Sequence, residues 1–125
     1  MGGMKTNIKA TNITLTSELR DYIDKKLAGV EKFLDPNDTS IMCDVEVART
    51  TSHHKTGEIF RAEFHIHIAG KYFTAVSEKD NINAALDEVK DEIIHSLKSY
   101  KTKKDTLFKR GSAKIKSILK GLPWN

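Results

Sequence analysis

The residues best placed to do chemistry in this 125-residue sequence are the lysines that close its longest helical pattern, and the chemistry is attraction of a polyanion. Ile82, Leu86, Val89, Ile93, Leu97 and Tyr100 recur at three- and four-residue steps, which at about 3.6 residues per turn places them on one face of a helix. Lys98, Lys101, Lys103 and Lys104 follow without a break at its C-terminal end, where the helix macrodipole is negative and cations are favoured. The formal net charge of +4 conceals how concentrated this is. Residues 1–97 carry 12 Lys+Arg against 16 Asp+Glu, a net −4, whereas residues 98–125 carry 9 against 1, a net +8. Only Asp105 opposes the basic arm that Lys109, Arg110, Lys114, Lys116 and Lys120 extend. Such an arm suits nucleic acid, the commonest polyanion inside a cell, and a merely solvated tail is the competing reading.

Other chemistries find less support. His65 and His67 are two apart in an alternating segment and so project from one face of a strand, with His53 and His54 in a nearby turn. A two- or three-histidine metal site is geometrically conceivable, but no Cys, Asp or Glu completes a recognisable ligand spacing, and a solvent-facing strand explains the same pattern. Cys43 falls on the apolar side of its segment with no base beside it, which reads as a buried structural thiol rather than a nucleophile. The seven glycines are scattered and form no phosphate-cradling loop. Asn12-Ile13-Thr14 and Asn37-Asp38-Thr39 match a glycosylation sequon that means nothing without secretion. Neither an enzymatic activity nor a cofactor is expected.

The elements that must position the basic arm follow from periodicity. Lys5 to Ala10 reads as a short first strand with Ile8 inward. Thr16 is placed as an N-cap with Glu18 in the first turn, and Leu19, Ile23, Leu27, Val30 and Leu34 form the stripe of an amphipathic helix of about five turns, stopped by Asp35-Pro36. From Thr39 the period becomes two. Ile41, Cys43, Val45 and Val47 alternate with Met42, Asp44, Glu46 and Ala48. After a polar turn over Thr50 to Gly57, Phe60, Ala62, Phe64, Ile66 and Ile68 alternate with Arg61, Glu63, His65 and His67. Ala69-Gly70-Lys71 turns the chain into a third such strand, Tyr72 to Ser77, and Asp80 or Asn81 caps the last helix. The order β-α-β-β-β-α predicts an α+β two-layer sandwich, in which the strands in succession make a meander within a four-stranded sheet that has both helices on one face and a polar opposite face.

Length and 38% hydrophobic residues are consistent with one small domain. No segment approaches the roughly 18 consecutive apolar residues of a membrane span. No secretory leader is visible and the single cysteine forms no internal disulfide, so an intracellular, cytoplasmic protein without a membrane partner is expected. Met4 is expected as the true start, with Met1-Gly2-Gly3 as a remnant that loosely matches a myristoylation pattern.

The run Asn12-Ile13-Thr14-Leu15-Thr16-Ser17-Glu18-Leu19-Arg20-Asp21-Tyr22-Ile23, with Lys25-Lys26-Leu27 and Val30-Glu31-Lys32-Phe33, resembles the first helix of the ribosome hibernation promoting factor and ribosome-associated inhibitor family. Ala75-Val76-Ser77-Glu78-Lys79-Asp80-Asn81-Ile82-Asn83-Ala84-Ala85-Leu86-Asp87, then Leu97-Lys98 and Lys101-Thr102-Lys103-Lys104, resembles the family's last strand and basic second helix. The resemblance spans roughly residues 5 to 105. It implies a fold like that of double-stranded-RNA-binding domains, binding to the small ribosomal subunit and its RNA in the channel of mRNA and the aminoacyl- and peptidyl-site tRNAs, and inhibition of translation under stress by steric occlusion. Carried over by position, the RNA-contacting residues it implies are Lys25, Lys26, Lys32, Lys79, Lys90, Lys98, Lys101, Lys103 and Lys104. No small-molecule substrate is implied. Where the family commonly has a tyrosine after the aspartate preceding the second helix, and an arginine near its end, this sequence has Ile82 or Asn83, and His95-Ser96. Long members add a ribosome-pairing domain, which a sequence stopping at Asn125 is not expected to hold.

The expected organisation is therefore a ribosome-binding domain over residues 4–105 and a basic tail over 106–125. In the tail, Leu107-Phe108, Ile115, Ile118-Leu119, Leu122 and Trp124 give a sparse apolar pattern. A short amphipathic helix after Gly111-Ser112 would fold on RNA, lie on a membrane surface or dock on a partner. The alternative for the whole chain is a general basic RNA-binding or protein-interaction module.

Overall fold

The computed structural model describes residues 4–51, 57–68 and 70–110, at 51 and over 103–110 as backbone alone. Six elements follow in the order β1 (Lys5–Thr11), α1 (Ser17–Glu31), β2 (Met42–Thr51), β3 (Glu58–Ile68), β4 (Lys71–Lys79) and α2 (Ile82–Arg110). The strands form one mixed sheet in the order β1-β2-β3-β4. The expected α+β sandwich is thus present: β2, β3 and β4 form the antiparallel meander, and β1 pairs parallel to β2. A parallel neighbour cannot be reached by a hairpin, so α1 serves as the crossover.

Local chemistry fixes the boundaries. The Thr16 hydroxyl accepts from Leu19 N–H at 3.1 Å and caps α1. Of the two residues proposed to cap α2, Asn81 does so, its Oδ1 accepting from Ala84 N–H at 2.8 Å. Ile68 pairs with Lys71, and Gly70 supplies the positive φ of 79° that so tight a reversal needs. Helix α1 ends a turn sooner than its stripe implied. Lys32 is its C-cap, and Phe33 and Leu34 N–H donate to the carbonyls of Val30 and Glu31. Just beyond, the Asp35 and Asp38 carboxylates accept from the N–H groups of Asn37 and Ser40, offering the backbone a turn in place of a helix. Leu34 still packs against the core, from a turn rather than a helix. Helix α2 runs in the other direction, past Lys104 to Arg110, so residue 105 lies within it.

The alternation in β2 and β3 sends Cys43, Val45 and Val47, and Ala62, Phe64 and Ile66, to the helix side, where all are fully buried. They meet Leu19, Ile23, Leu27 and Val30 of α1 and Leu86, Val89, Ile93 and Leu97 of α2 in one core. Both apolar stripes are therefore spent on the sheet and on each other, and the charged helix faces are left to solvent. The opposite sheet face carries cross-strand rows such as Asn7, Asp44, His65 and Thr74. Among the described residues no helix is long and apolar enough to cross a membrane.

Candidate nucleic-acid interface

Two helices packed side by side on one sheet face bring the C-terminal end of α1 beside residues 97–101 of α2, past the middle of that helix. There Lys32, Lys98 and Lys101 line a single cleft of about 410 Å³. All three lysines are exposed. The cleft floor is apolar, built from Ile41, Ile68 and Leu97 at the edge of the core, and Phe33 stands at its side with the Lys98 ammonium 5.1 Å from the ring centroid. Asp35 and Asp38 stand among its lining residues as well. Lys103 and Lys104 continue along the α2 backbone, and their side chains lie outside the described residues.

The remaining expected contacts are distributed differently. Lys25 is exposed on α1, apart from the cleft lining. Lys26 reaches across to α2 and donates to Asp87 at 2.7 Å, with its ammonium 4.8 Å from the Tyr22 ring centroid. The Tyr22 hydroxyl donates to the same Asp87 oxygen at 2.6 Å. Hydrogen bonds from Lys26 and then Tyr22 hold the Asp87 carboxyl below its ordinary range, and Lys26 is raised by the same bond. The hydrogen bond to Asp87 also raises the Tyr22 hydroxyl. Lys79 donates to Glu88 at 2.9 Å, and Glu88 accepts as well from the buried Ser77 hydroxyl at 2.6 Å. Those two bonds, Ser77 first, lower Glu88. The Lys90 side chain lies against Gly29 of α1, its Cε 2.9 Å from where a β-carbon would stand. Lys26, Lys79 and Lys90 thus brace α2 against α1 and β4, while Lys32, Lys98 and Lys101 stand open at one end.

Sequence reasoning missed the exposed aromatic Phe33 in the cleft, which Tyr100 also lines, and the inter-helix carboxylate. Phe33 is 42% exposed, and the available signal was that it falls one residue off the stripe that Val30 and Leu34 continue. Asp87 offered none, because a contact 65 residues away in sequence leaves no local pattern. The groups weighed for other chemistry are occupied structurally. His65 hydrogen-bonds Glu63 and Thr74, both at 3.1 Å, and His67 stacks on Tyr72 with centroids 4.4 Å apart. Among the described residues no three His, Cys, Asp or Glu side chains gather as a metal site, and His53 and His54 lie outside them. Cys43 is buried, and desolvation, helped by Asp44 and Glu31, pushes its thiol up to about 12. It is a core residue with almost no thiolate.

Comparison with known proteins shows the family and the fold. The ribosome hibernation promotion factor of Picosynechococcus sp. is 31% identical over 103 residues, which cover 80% of this chain and 50% of that one, so the chain spans half the length of this relative. The ribosome hibernation promoting factor of Pseudomonas putida is 28% identical over 111 residues, covering 89% of this chain and all of that one. Among solved structures, the N-terminal domain of Thermus thermophilus Protein Y superposes with a TM-score of 0.64 at 23% identity, over 78% of this chain and 99% of that one. A ribosomal subunit interface protein from Coxiella burnetii gives 0.62 at 16%, over 79% and 99%. Both share the fold. The profile of the family described as sigma 54 modulation protein / S30EA ribosomal protein matches residues 6–105, and the chain belongs to that family.

Proposed function

We propose that this chain is a cytoplasmic ribosome hibernation factor. It binds the RNA of the small ribosomal subunit in the channel used by mRNA and by the aminoacyl- and peptidyl-site tRNAs, and silences translation by occupying that space. The observation that carries the reading is the convergence of Lys32, Lys98 and Lys101 on one cleft between the C-terminal end of α1 and residues 97–101 of α2, in a member of this family. Lysine ammonium groups meet phosphates as point charges, which gives affinity for one RNA shape without base readout. No bond is made or broken. Inhibition requires only that the folded chain be rigid and fill the space.

In this reading residues 4–105 form the binding unit and the basic segment 106–125 extends its contact. Lys25, Lys32, Lys98, Lys101, Lys103 and Lys104 meet phosphate directly. Lys26, Lys79 and Lys90 add positive field while their side chains brace the helices. The test is ribosome binding across a salt series by the wild type and by the triple variant Lys32→Ala/Lys98→Ala/Lys101→Ala. Each lost phosphate contact lowers the slope of log K against log salt by roughly 0.7–0.9. A slope reduced by roughly 2.1–2.7, with translation inhibition weakened in parallel, supports the assignment. An unchanged slope would place the interface elsewhere.

A further inference from the structure

The cleft between the end of α1 and residues 97–101 of α2 has features that phosphate contact alone does not require. Phosphate needs cations, yet here the cations surround an apolar floor of Ile41, Ile68 and Leu97 and an exposed phenylalanine. A volume of about 410 Å³ falls within the roughly 300–1,000 Å³ typical of small-ligand pockets. The Lys98 ammonium over the Phe33 ring gives the aromatic a defined neighbour, so the ring forfeits little freedom when something stacks on it. The charges are mixed as well. Lys32, Lys98 and Lys101 attract a phosphodiester, whereas Asp35 and Asp38 repel one.

We propose that this cleft captures one unstacked ribonucleotide of the bound RNA, its base entering against Phe33 and the apolar floor and its flanking phosphates held by Lys98 and Lys101. The two aspartates fix the polarity. They keep the backbone on the lysine side and favour a base whose exocyclic amino group can donate to a carboxylate. Bases splayed from single-stranded loops are commonly recognised in this way, by stacking on an aromatic ring beside cations. The inference rests on the RNA-binding reading above and deepens it from field attraction to a specific contact.

The experiment measures equilibrium binding of the full chain to small ribosomal subunits over a salt series, for the wild type, Phe33→Ala, Phe33→Trp and Lys101→Ala. A stacking contact is not ionic. Phe33→Ala should therefore weaken binding about tenfold at every salt concentration with the salt slope unchanged, and Phe33→Trp should restore it. Lys101→Ala should instead lower the slope by roughly 0.7–0.9. Wild-type affinity in Phe33→Ala, or a loss that Phe33→Trp leaves unrepaired, overturns the nucleotide cleft and leaves ribosome binding standing. Failure of the wild type to bind overturns the wider reading instead. A photoreactive p-benzoylphenylalanine at position 33 gives an independent arm. Crosslinking to ribosomal RNA supports the assignment, and crosslinking to a ribosomal protein or within the chain itself overturns it.

Discussion

Asp87 shows how a single carboxylate sets the geometry of a basic surface. It accepts from Tyr22 and Lys26 of α1 at once, so it fixes the separation of the two helices whose ends carry the open lysines. The Asp87 side chain is 50% exposed, and solvent screening holds the pair to modest worth, so Asp87→Asn should cost about 0.5–1 kcal/mol in urea unfolding. The pH dependence has a defined sign. The Asp87 carboxyl is held below its ordinary 3.8, so its contribution is present above that value and disappears as pH falls through the lower folded value. Lys26 is held above its ordinary 10.5, so its contribution is present below that value and disappears as pH rises through the folded one. The stability gap between wild type and Asp87→Asn should therefore be flat near neutrality and close below about pH 4. A gap that widened in acid would mean that Asp87 does something else in the fold. Cys43 allows a second check. With its thiol pushed up to about 12 inside the core, a thiol reagent at pH 8 should modify it only in denaturant, and reaction in the native state at a free-thiol rate would contradict its burial.

At the scale of the elements, the contact between α1 and α2 includes a position where two effects compete. A β-carbon at Gly29 would stand 2.9 Å from Lys90 Cε, closer than real contacts allow, but that atom is near the end of a flexible side chain. Gly29 lies in the last turn of α1, where replacing glycine gains up to about 0.5 kcal/mol in helix propensity, which outweighs moving Lys90 aside. Gly29→Ala should therefore raise the unfolding midpoint, and a lowered midpoint would show that Lys90 cannot yield. Asn81→Ala removes the side chain that caps α2 and should cost about 1 kcal/mol, measured by thermal or urea unfolding. Elements of this kind were legible because their signals are local: the Thr16 cap, the two helical stripes and the alternation from Cys43 to Val47 and from Phe60 to Ile68 all match what formed. The end of α1 was not, since the Asp35 and Asp38 turns compete with a stripe that Leu34 continues numerically. The direction of β1 was also hidden, because a short strand has the same alternation whichever way it runs.

For the whole molecule, the fold joins the start of the basic arm, Lys98 and Lys101, to Lys32 of α1. One core uses both apolar stripes, and the 97–101 stretch of α2 is brought beside the end of α1. The sequence located the lysines but not their division of labour, because whether a lysine braces a helix or faces solvent depends on a partner such as Asp87 or Glu88 chosen by tertiary packing. Occlusion is a claim about space rather than affinity, and competition tests it most directly. Ribosomes stripped of ligands, and ribosomes filled with mRNA and tRNA, are each sedimented with the purified chain at physiological salt, and bound protein is quantified. One copy per empty ribosome, lost on filled ribosomes, is the result that steric occlusion of the channel requires. Binding that ignores the tRNA and mRNA, or that exceeds one copy per ribosome, would contradict occlusion and leave a general basic RNA-binding module in its place.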